Sequence, residues 1–245
     1  MPRKLIALAV VLVAAFLLAP GPVAAIGSDR ALADPDGLAD RLRAGFVDFW
    51  RTGERGPDLT AVVHFWLRYH LVKGALAALL LVVLALLGRR LLAAGHRWAT
   101  IGVAGAGLLA LATVMANVQG AVAPFSSLLP MLTESAPDAA LAETLGQIRR
   151  QLASGEPGPA LRAMVGDFGA YHAAMAVVAA VAAIGLVGAS VLGWRRFAAT
   201  RAAVWGGLGA MATLASLAVL VVVIANAGTA DDPAPALLAF FEGGW

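Results

Sequence analysis

Hydrophobic residues in this chain form long continuous runs, separated by short basic turns or by longer polar segments. A transmembrane helix needs about 20 consecutive apolar residues, and four of the runs reach that length. They cover roughly residues 62–88 or 69–88, 98–115, 168–193 and 204–225. Backbone polar groups in lipid must be satisfied within the segment, which favours helices. The pattern therefore predicts an all-α membrane protein with a four-helix transmembrane bundle.

A shorter apolar run opens the chain. Residues 1–26 begin with the basic pair Arg3-Lys4, continue with apolar residues as far as Ala19, and then contain Pro-Gly-Pro and small residues before Ile26. This order is typical of a secretory signal peptide. A retained signal-anchor helix, which would be a fifth transmembrane helix, fits the same residues. Either alternative places the residues that follow on the outer side of the membrane.

Two polar segments, residues 27–60 and 118–167, each contain apolar residues at helical spacing. These residues are Leu38, Leu42, Gly45 or Phe46, and Phe49 to Trp50 in the first segment, and Leu141, Leu145, Ile148 and Leu152 in the second. The spacing predicts one amphipathic helix in each segment. We expect both helices to lie outside the membrane, on its surface or against each other.

Composition supports lipid as the solvent, because 60% of the residues are hydrophobic, 13% are charged and the mean hydropathy is +0.82. The short loops 88–98 and 193–203 carry six Arg residues and no acidic residue. Such loops face the cytoplasm in bacterial plasma membranes, which also explains a pI near 9.9 without nucleic acid. The segments 27–60 and 118–167 and the C-terminus are then extracytoplasmic. The chain has no cysteine, which excludes disulfides and thiolate metal sites.

An internal repeat links the two halves of the chain. Residues 53–70 (GERGPDLTAVVHFWLRYH) and 155–172 (GEPGPALRAMVGDFGAYH) are identical at nine of eighteen positions at a constant offset of 102. A fixed offset of this kind indicates a duplicated unit. We expect repeat 1 at residues 27–130 and repeat 2 at residues 131–245. Both would start on the outer side, which makes them parallel repeats about an axis along the membrane normal.

Each copy ends on a Tyr-His pair, and an Asn follows the next apolar run. In a helical hairpin the start of one span and the end of the next lie at the same depth, so polar clusters are expected there. The residues are Tyr69, His70 and Asn117 in one cluster, and Tyr171, His172 and Asn226 in the other. One interpretation is structural, with these side chains as interfacial anchors that bond each other. The other is a ligand site, in which His70 and His172 hold a haem iron or a metal between them.

Glycines inside the apolar runs are expected to form packing seams between helices, because they let backbones approach closely. They are Gly102, Gly105 and Gly107 in the second run, and Gly206, Gly207 and Gly209 in the last.

The stretch ANVQGAVAPFSSLLP (residues 116–130), with the Ala-rich helices and Arg-Arg turns, resembles uncharacterised multi-pass membrane proteins of actinobacteria. The resemblance implies a multi-pass topology and brings no activity, cofactor or site residue.

The apolar runs contain no carboxylate and no HExxH or GxSxG motif, which argues against an ion-coupled transporter and an intramembrane protease. No catalytic residue and no cofactor is predicted. The first hypothesis is a non-catalytic integral membrane protein that presents outer helices to a membrane or envelope partner, or to a second copy of itself. The alternatives are a haem- or metal-binding electron-transfer or ligand-binding protein using His70 and His172, and a channel or transporter subunit.

Overall fold

Within residues 2–134 and 136–244, which the computed structural model describes, the backbone is almost entirely helical and contains no strand. The α-helices in chain order are α1 (Pro2–Leu18), α2 (Pro20–Ala24), α3 (Pro35–Thr52), α4 (Pro57–Ala93), α5 (Arg97–Val122), α6 (Pro124–Leu128), α7 (Ala139–Ser154), α8 (Pro159–Thr200), α9 (Ala203–Asp231) and α10 (Pro233–Phe241). Short 3-10 helices occupy Arg30–Ala33 and Leu129–Leu132.

Among the described residues, four helices are long and apolar enough to cross a membrane: α4, α5, α8 and α9. Only 17% of the most apolar stretch of each is buried within the chain. Contiguous apolar surface of this extent is not stable in water and requires a cover such as lipid. The four helices thus support a multi-pass membrane protein in a lipid bilayer.

The helices are longer than the apolar runs from which they were predicted. Helix α4 begins at Pro57 and α8 at Pro159, so each includes several polar turns before its apolar stretch. Helix α9 continues past Asn226 to Asp231, and the C-terminal segment that follows holds α10. Proline at the first helical position accounts for the early starts, because its fixed φ suits that position and its missing N–H needs no partner.

Local capping residues set the bounds of the two amphipathic helices. The Asp34 carboxylate accepts a hydrogen bond from the Gly37 N–H at the start of α3, and the Asp138 carboxylate accepts one from the Leu141 N–H at the start of α7. Gly53 (φ 78°) and Gly155 (φ 72°) end these helices in the left-handed conformation, which favours glycine because a Cβ is strained there.

The chain divides into two compact units. The first unit comprises Met1–Ala19, Val72–Val118 and Met175–Ala225, and the second comprises Pro20–Leu71, Gln119–Ala174 and Asn226–Trp245. Helices α4, α5, α8 and α9 each contribute residues to both.

The second unit has a hydrophobic core of its own. Phe46, Phe49 and Phe125 are buried at its centre, with the rings of Phe49 and Phe125 edge to face at 5.5 Å. Helix α3 approaches α4 so closely at Gly45 that a Cβ there would lie 3.0 Å from the Leu59 nitrogen. Leu237 and Phe241 of α10 complete the core. The unit therefore folds around its own apolar interior.

In the first unit, α8 and α9 pack backbone to backbone. A Cβ at Gly193 would lie 2.7 Å from the Gly209 Cα atom. One turn away, the Thr213 hydroxyl joins the two helices, since it is 2.7 Å from the Ser190 hydroxyl and accepts the Trp194 indole N–H at 3.0 Å.

The prediction of glycine seams is only partly right. Four of the six do face side chains of neighbouring helices: Gly107 at Leu81, Gly206 at Phe197, Gly207 at Ile101 and Gly209 at Trp194. A Cβ at Gly102 or Gly105 would meet open space, so these two glycines are not in a seam. The contacting partner of Gly209 is Gly193, which was not predicted.

Candidate functional site

Five of the six predicted polar residues belong to the second unit. Tyr69 and His70 lie on α4, Tyr171 and His172 lie on α8, and Asn226 lies on α9. Each Tyr-His pair sits about three turns inside its helix rather than at the helix start.

The first cluster surrounds His70. The indole N–H of Trp66 donates to the Ser127 hydroxyl at 2.8 Å, and that hydroxyl donates to the Pro124 carbonyl at 3.0 Å. The His70 Nε2 atom lies 3.4 Å from the Ser127 hydroxyl oxygen. Because the hydroxyl proton is already directed to Pro124, a proton on Nε2 would point at the oxygen lone pair. The imidazole thus adds a long, weak hydrogen bond to a stronger Trp-Ser link.

Aromatic rings hold the His70 imidazole from the side. The Trp66 and Tyr69 rings are parallel with centroids 4.8 Å apart, and the imidazole is edge to face with Trp66 at 5.1 Å. The edge-to-face contact places the positive edge of one ring on the negative face of the other. The ring of His70 therefore has little room to turn.

Gly120 of α5 forms the other wall of this cluster. A Cβ at Gly120 would lie 2.5 Å from both Cε1 and Nε2 of His70, a separation that no real Cβ contact tolerates. The imidazole rests directly on the α5 backbone, and only a glycine leaves space for it.

The second cluster surrounds His172, which is only 7% exposed. Its Nδ1 atom is 2.8 Å from the Asn226 Oδ1 atom, which joins α8 to α9. An amide oxygen only accepts, so this bond assigns the proton to Nδ1. The Phe168 ring contacts the imidazole at 4.5 Å, and the Tyr171 ring does so at 5.4 Å.

The two histidines share one local feature and differ in the rest. Each imidazole contacts the aromatic ring four residues earlier on its own helix, Trp66 for His70 and Phe168 for His172. Residues four apart lie on one helix face. The hydroxyl of Ser127 is near His70, whereas the amide of Asn226 is bonded to His172.

Asn117 belongs to the first unit and its side-chain amide donates to the Thr113 carbonyl within α5 at 2.8 Å. The backbone of α4 comes close to it, since a Cβ at Gly74 would lie 3.3 Å from the Asn117 Cβ. The participation of Asn117 in a cluster with Tyr69 and His70 stays a prediction.

The second unit also contains a carboxylate link whose partners the sequence did not identify. The Asp167 carboxylate accepts both the backbone N–H and the hydroxyl of Ser126 at 2.8 Å, and lies 3.6 Å from the Arg55 guanidinium. Arg55 in turn lies over the Phe125 ring at 4.7 Å. The only sequence signal was a charged residue directly before an apolar run, with no indication of its partners.

Arg68, the charged residue beside the other Tyr-His pair, has a separate role. It donates to the Ile26 carbonyl at 2.9 Å and to the Ser28 hydroxyl. The segment after α2 is thereby attached to α4.

A polar cleft of about 450 Å³ opens in the second unit where the C-terminal end of α3 meets α7 and the start of α8. The indole N–H of Trp50 donates to the Gln147 side-chain oxygen at 2.7 Å, and Gln151 accepts the Gly158 N–H at 3.0 Å. Arg51 is at the edge, with its side chain 74% exposed. Concave sites with a few fixed polar groups and an aromatic wall are typical of ligand binding.

The chemistry available around the two histidines is that of neutral hydrogen bonding and aromatic contact. Among the described residues no three His, Asp or Glu side chains come together as a metal-ligand group. The chain matches no protein-family model, and comparisons with curated proteins and with solved structures gave no significant match.

Proposed function

We propose that this protein is a non-catalytic integral membrane protein of a bacterial plasma membrane, whose second unit faces outward and presents a preformed surface to a membrane or envelope partner. The observation that carries the proposal is the polar cleft lined by Trp50, Arg51, Gln147 and Gln151. Trp50 and Gln147 are positioned by a hydrogen bond to each other, and Gln151 by one from the Gly158 backbone N–H. A surface organised before binding loses less conformational entropy when a partner arrives.

The independent core of the second unit supports this role. Buried Phe46, Phe49 and Phe125 hold α3 and α7 in place, so the cleft rests on packed helices rather than on loops. Sites on rigid elements keep their geometry better than sites on mobile loops.

The distribution of charge supports the outward orientation. All fifteen Asp and Glu residues of the sequence lie in the ranges of the second unit. The Arg-rich turns between α4 and α5 and between α8 and α9 lie in the first unit, and such turns are retained on the cytoplasmic side.

Duplication of a parallel unit is part of the proposal. The left-handed glycines that end α3 and α7 are 102 residues apart, and so are the prolines that begin α4 and α8. The same offset relates the two identical Tyr-His pairs. One ancestral segment, consisting of an amphipathic helix, a Gly-Glu-x-Gly-Pro turn and a helical hairpin, accounts for these spacings.

Site-directed photocrosslinking tests the outer surface. A photoreactive phenylalanine derivative is incorporated in place of Arg51 at the cleft edge, and separately in place of Arg149, which is exposed on α7 outside the cleft lining. We expect a discrete adduct from position 51 in intact cells, and none from position 149. Digestion of the adduct with protease or with a glycan hydrolase then separates a protein partner from an envelope polymer. Equal adducts from both positions would contradict the proposal, and so would the absence of an adduct from position 51.

We further propose that residues 1–26 are a retained signal-anchor helix. Helix α1 lines an apolar groove with α4 and α5 in the first unit, with Val13 and Phe16 among the lining residues. In the second unit, Ala24 and Ala25 are buried where a signal peptidase would act, and Arg68 binds the Ile26 carbonyl. Removal of α1 would expose apolar surface. The cleavage site would also lie within a packed segment.

Intact mass of the purified protein with a C-terminal tag tests retention. We expect an intact mass that includes the residues of α1, and amino-terminal sequencing that reads a segment ahead of Ile26. A product whose sequence begins at Ile26 would show that the segment is cleaved.

A further inference from the structure

We propose that the first unit binds one anionic phospholipid, with its acyl chains in an apolar groove at the Arg-rich end and its phosphate beside Arg89. The inference depends on the membrane assignment alone and is independent of the partner of the outer cleft.

The groove is formed mainly by α4 and α5, with α8 and α9 closing one side. It has a volume of about 440 Å³, which is within the usual range for a small-molecule site. Small residues on facing helices, including Gly88, Ala104 and Gly107, give it its width. Leu108, Leu186 and Trp205 border both this groove and an adjoining one of about 250 Å³. A branched, two-chain apolar ligand suits two adjoining grooves better than a single rod would.

Cationic groups stand at one end of this apolar surface. Arg89 is exposed and lines the groove itself. Trp205 lines it from α9, and the guanidinium of Arg196 lies over the Trp205 ring at 5.8 Å. A guanidinium presents several donors to the oxygens of a phosphate. An indole ring beside it belongs to the headgroup level of a bilayer.

Charge composition indicates where the counter-ion comes from. The ranges of the first unit contain nine of the eighteen Lys and Arg residues of the sequence and none of its fifteen Asp and Glu residues. No carboxylate of that unit can therefore neutralise Arg89. Basic pockets between transmembrane helices bind anionic headgroups for this reason. A zwitterionic lipid would fill the same apolar groove and supply no net charge.

The test uses the full chain purified in a neutral detergent and titrated by native mass spectrometry. The ligands are phosphatidylglycerol, phosphatidylcholine with the same acyl chains, and glycerol phosphate, which has the headgroup chemistry without the chains. We expect phosphatidylglycerol to bind at least fivefold more tightly than phosphatidylcholine, as about one favourable charge contact implies. Glycerol phosphate should not compete at the same concentration.

Two pairs of variants separate the headgroup contact from the apolar groove. Arg89→Gln should remove the preference for phosphatidylglycerol, whereas Arg90→Gln, the exposed neighbour outside the groove lining, should keep it. Ala104→Phe fills the groove and should weaken both lipids, whereas Ala112→Phe, exposed on the same helix, should weaken neither. Circular dichroism and gel filtration verify that each variant folds.

The proposal is overturned if phosphatidylcholine binds the unchanged protein as tightly as phosphatidylglycerol, or if glycerol phosphate competes fully. Equal effects of Arg89→Gln and Arg90→Gln would also overturn it, and this pair is informative even if Ala104→Phe does not fold. None of these results alters the crosslinking at position 51, so the two proposals fail separately.

Discussion

Position 120 accommodates no side chain because the imidazole of His70 occupies the space. A helical Gly→Ala change is usually stabilising by up to about 1 kcal/mol, since glycine loses more backbone entropy on folding. At Gly120 the new methyl group would lie 2.5 Å from two atoms of a ring that is held by Trp66 and Tyr69. The sign of the effect should therefore reverse.

We expect Gly120→Ala to destabilise the protein by about 1–3 kcal/mol, the usual range for overpacking, as measured by thermal unfolding in one detergent. Gly166→Ala, at a site on α8 with open space, is the control and should be neutral or stabilising. Because the clash is with His70, the double variant His70→Ala/Gly120→Ala should lose less stability than the two single losses added. Additive losses would show that the ring is not the obstacle.

The residue scale also explains which parts of the candidate site the sequence could predict. His70 and His172 were selected because they recur at one offset beside long apolar runs. Asp167 was not selected as a site residue, since its partners Ser126 and Arg55 are 41 and 112 residues away along the chain. No periodic pattern in the sequence identifies the group that donates a hydrogen bond to a carboxylate.

At the scale of elements, the contact between α8 and α9 depends on one pair of glycines. A lipid environment supplies no hydrophobic drive for helix association, so close packing and interhelical hydrogen bonds carry it. Gly193 meets the Gly209 backbone directly, and the Ser190–Thr213 hydrogen bond lies beside that contact.

Gly193→Ala should separate the two helices and lower stability by about 1–3 kcal/mol, measured by the loss of helical circular dichroism on heating. The matched control is Gly188→Ala on the same helix, at a site with open space, which should be neutral or slightly stabilising. Equal melting temperatures for the two variants would argue against a backbone contact at position 193.

Helix bounds follow from local chemistry, whereas the helix faces that meet do not. Asp34, Asp138, Gly53 and Gly155 set the ends of α3 and α7 by interactions within one or two turns. Gly102 and Gly105 lie inside an apolar run, as Gly209 does, and yet they face open space. Which glycine forms a seam depends on how each helix is rotated toward its neighbour.

At the scale of the whole molecule, charge is segregated between the two units. The first unit carries cations and no carboxylate, and the second carries all of the acidic residues. This asymmetry is the physical basis of the proposed orientation, because basic turns resist translocation across the membrane.

Cysteine accessibility measures that orientation directly, since the chain has no cysteine of its own. Single cysteines are introduced by Ala153→Cys on α7 and by Ala94→Cys between α4 and α5, both at exposed positions. A membrane-impermeant maleimide should label position 153 in intact cells and position 94 only after permeabilisation. Labelling in the opposite order would mean that the Arg-rich turns face outward.

The sequence by itself determined the properties that arise from local order and from the solvent. Apolar runs of lipid length predicted the four long helices, and Asp residues begin and Gly residues end the two amphipathic helices, because each effect acts within a few turns or on one segment at a time. Only the tertiary structure decided that Gly120 supports His70, that Asp167 binds Ser126, and that Gly193 meets Gly209. These pairs are 50, 41 and 16 residues apart, and their contact depends on the packing of whole helices, which no local pattern encodes.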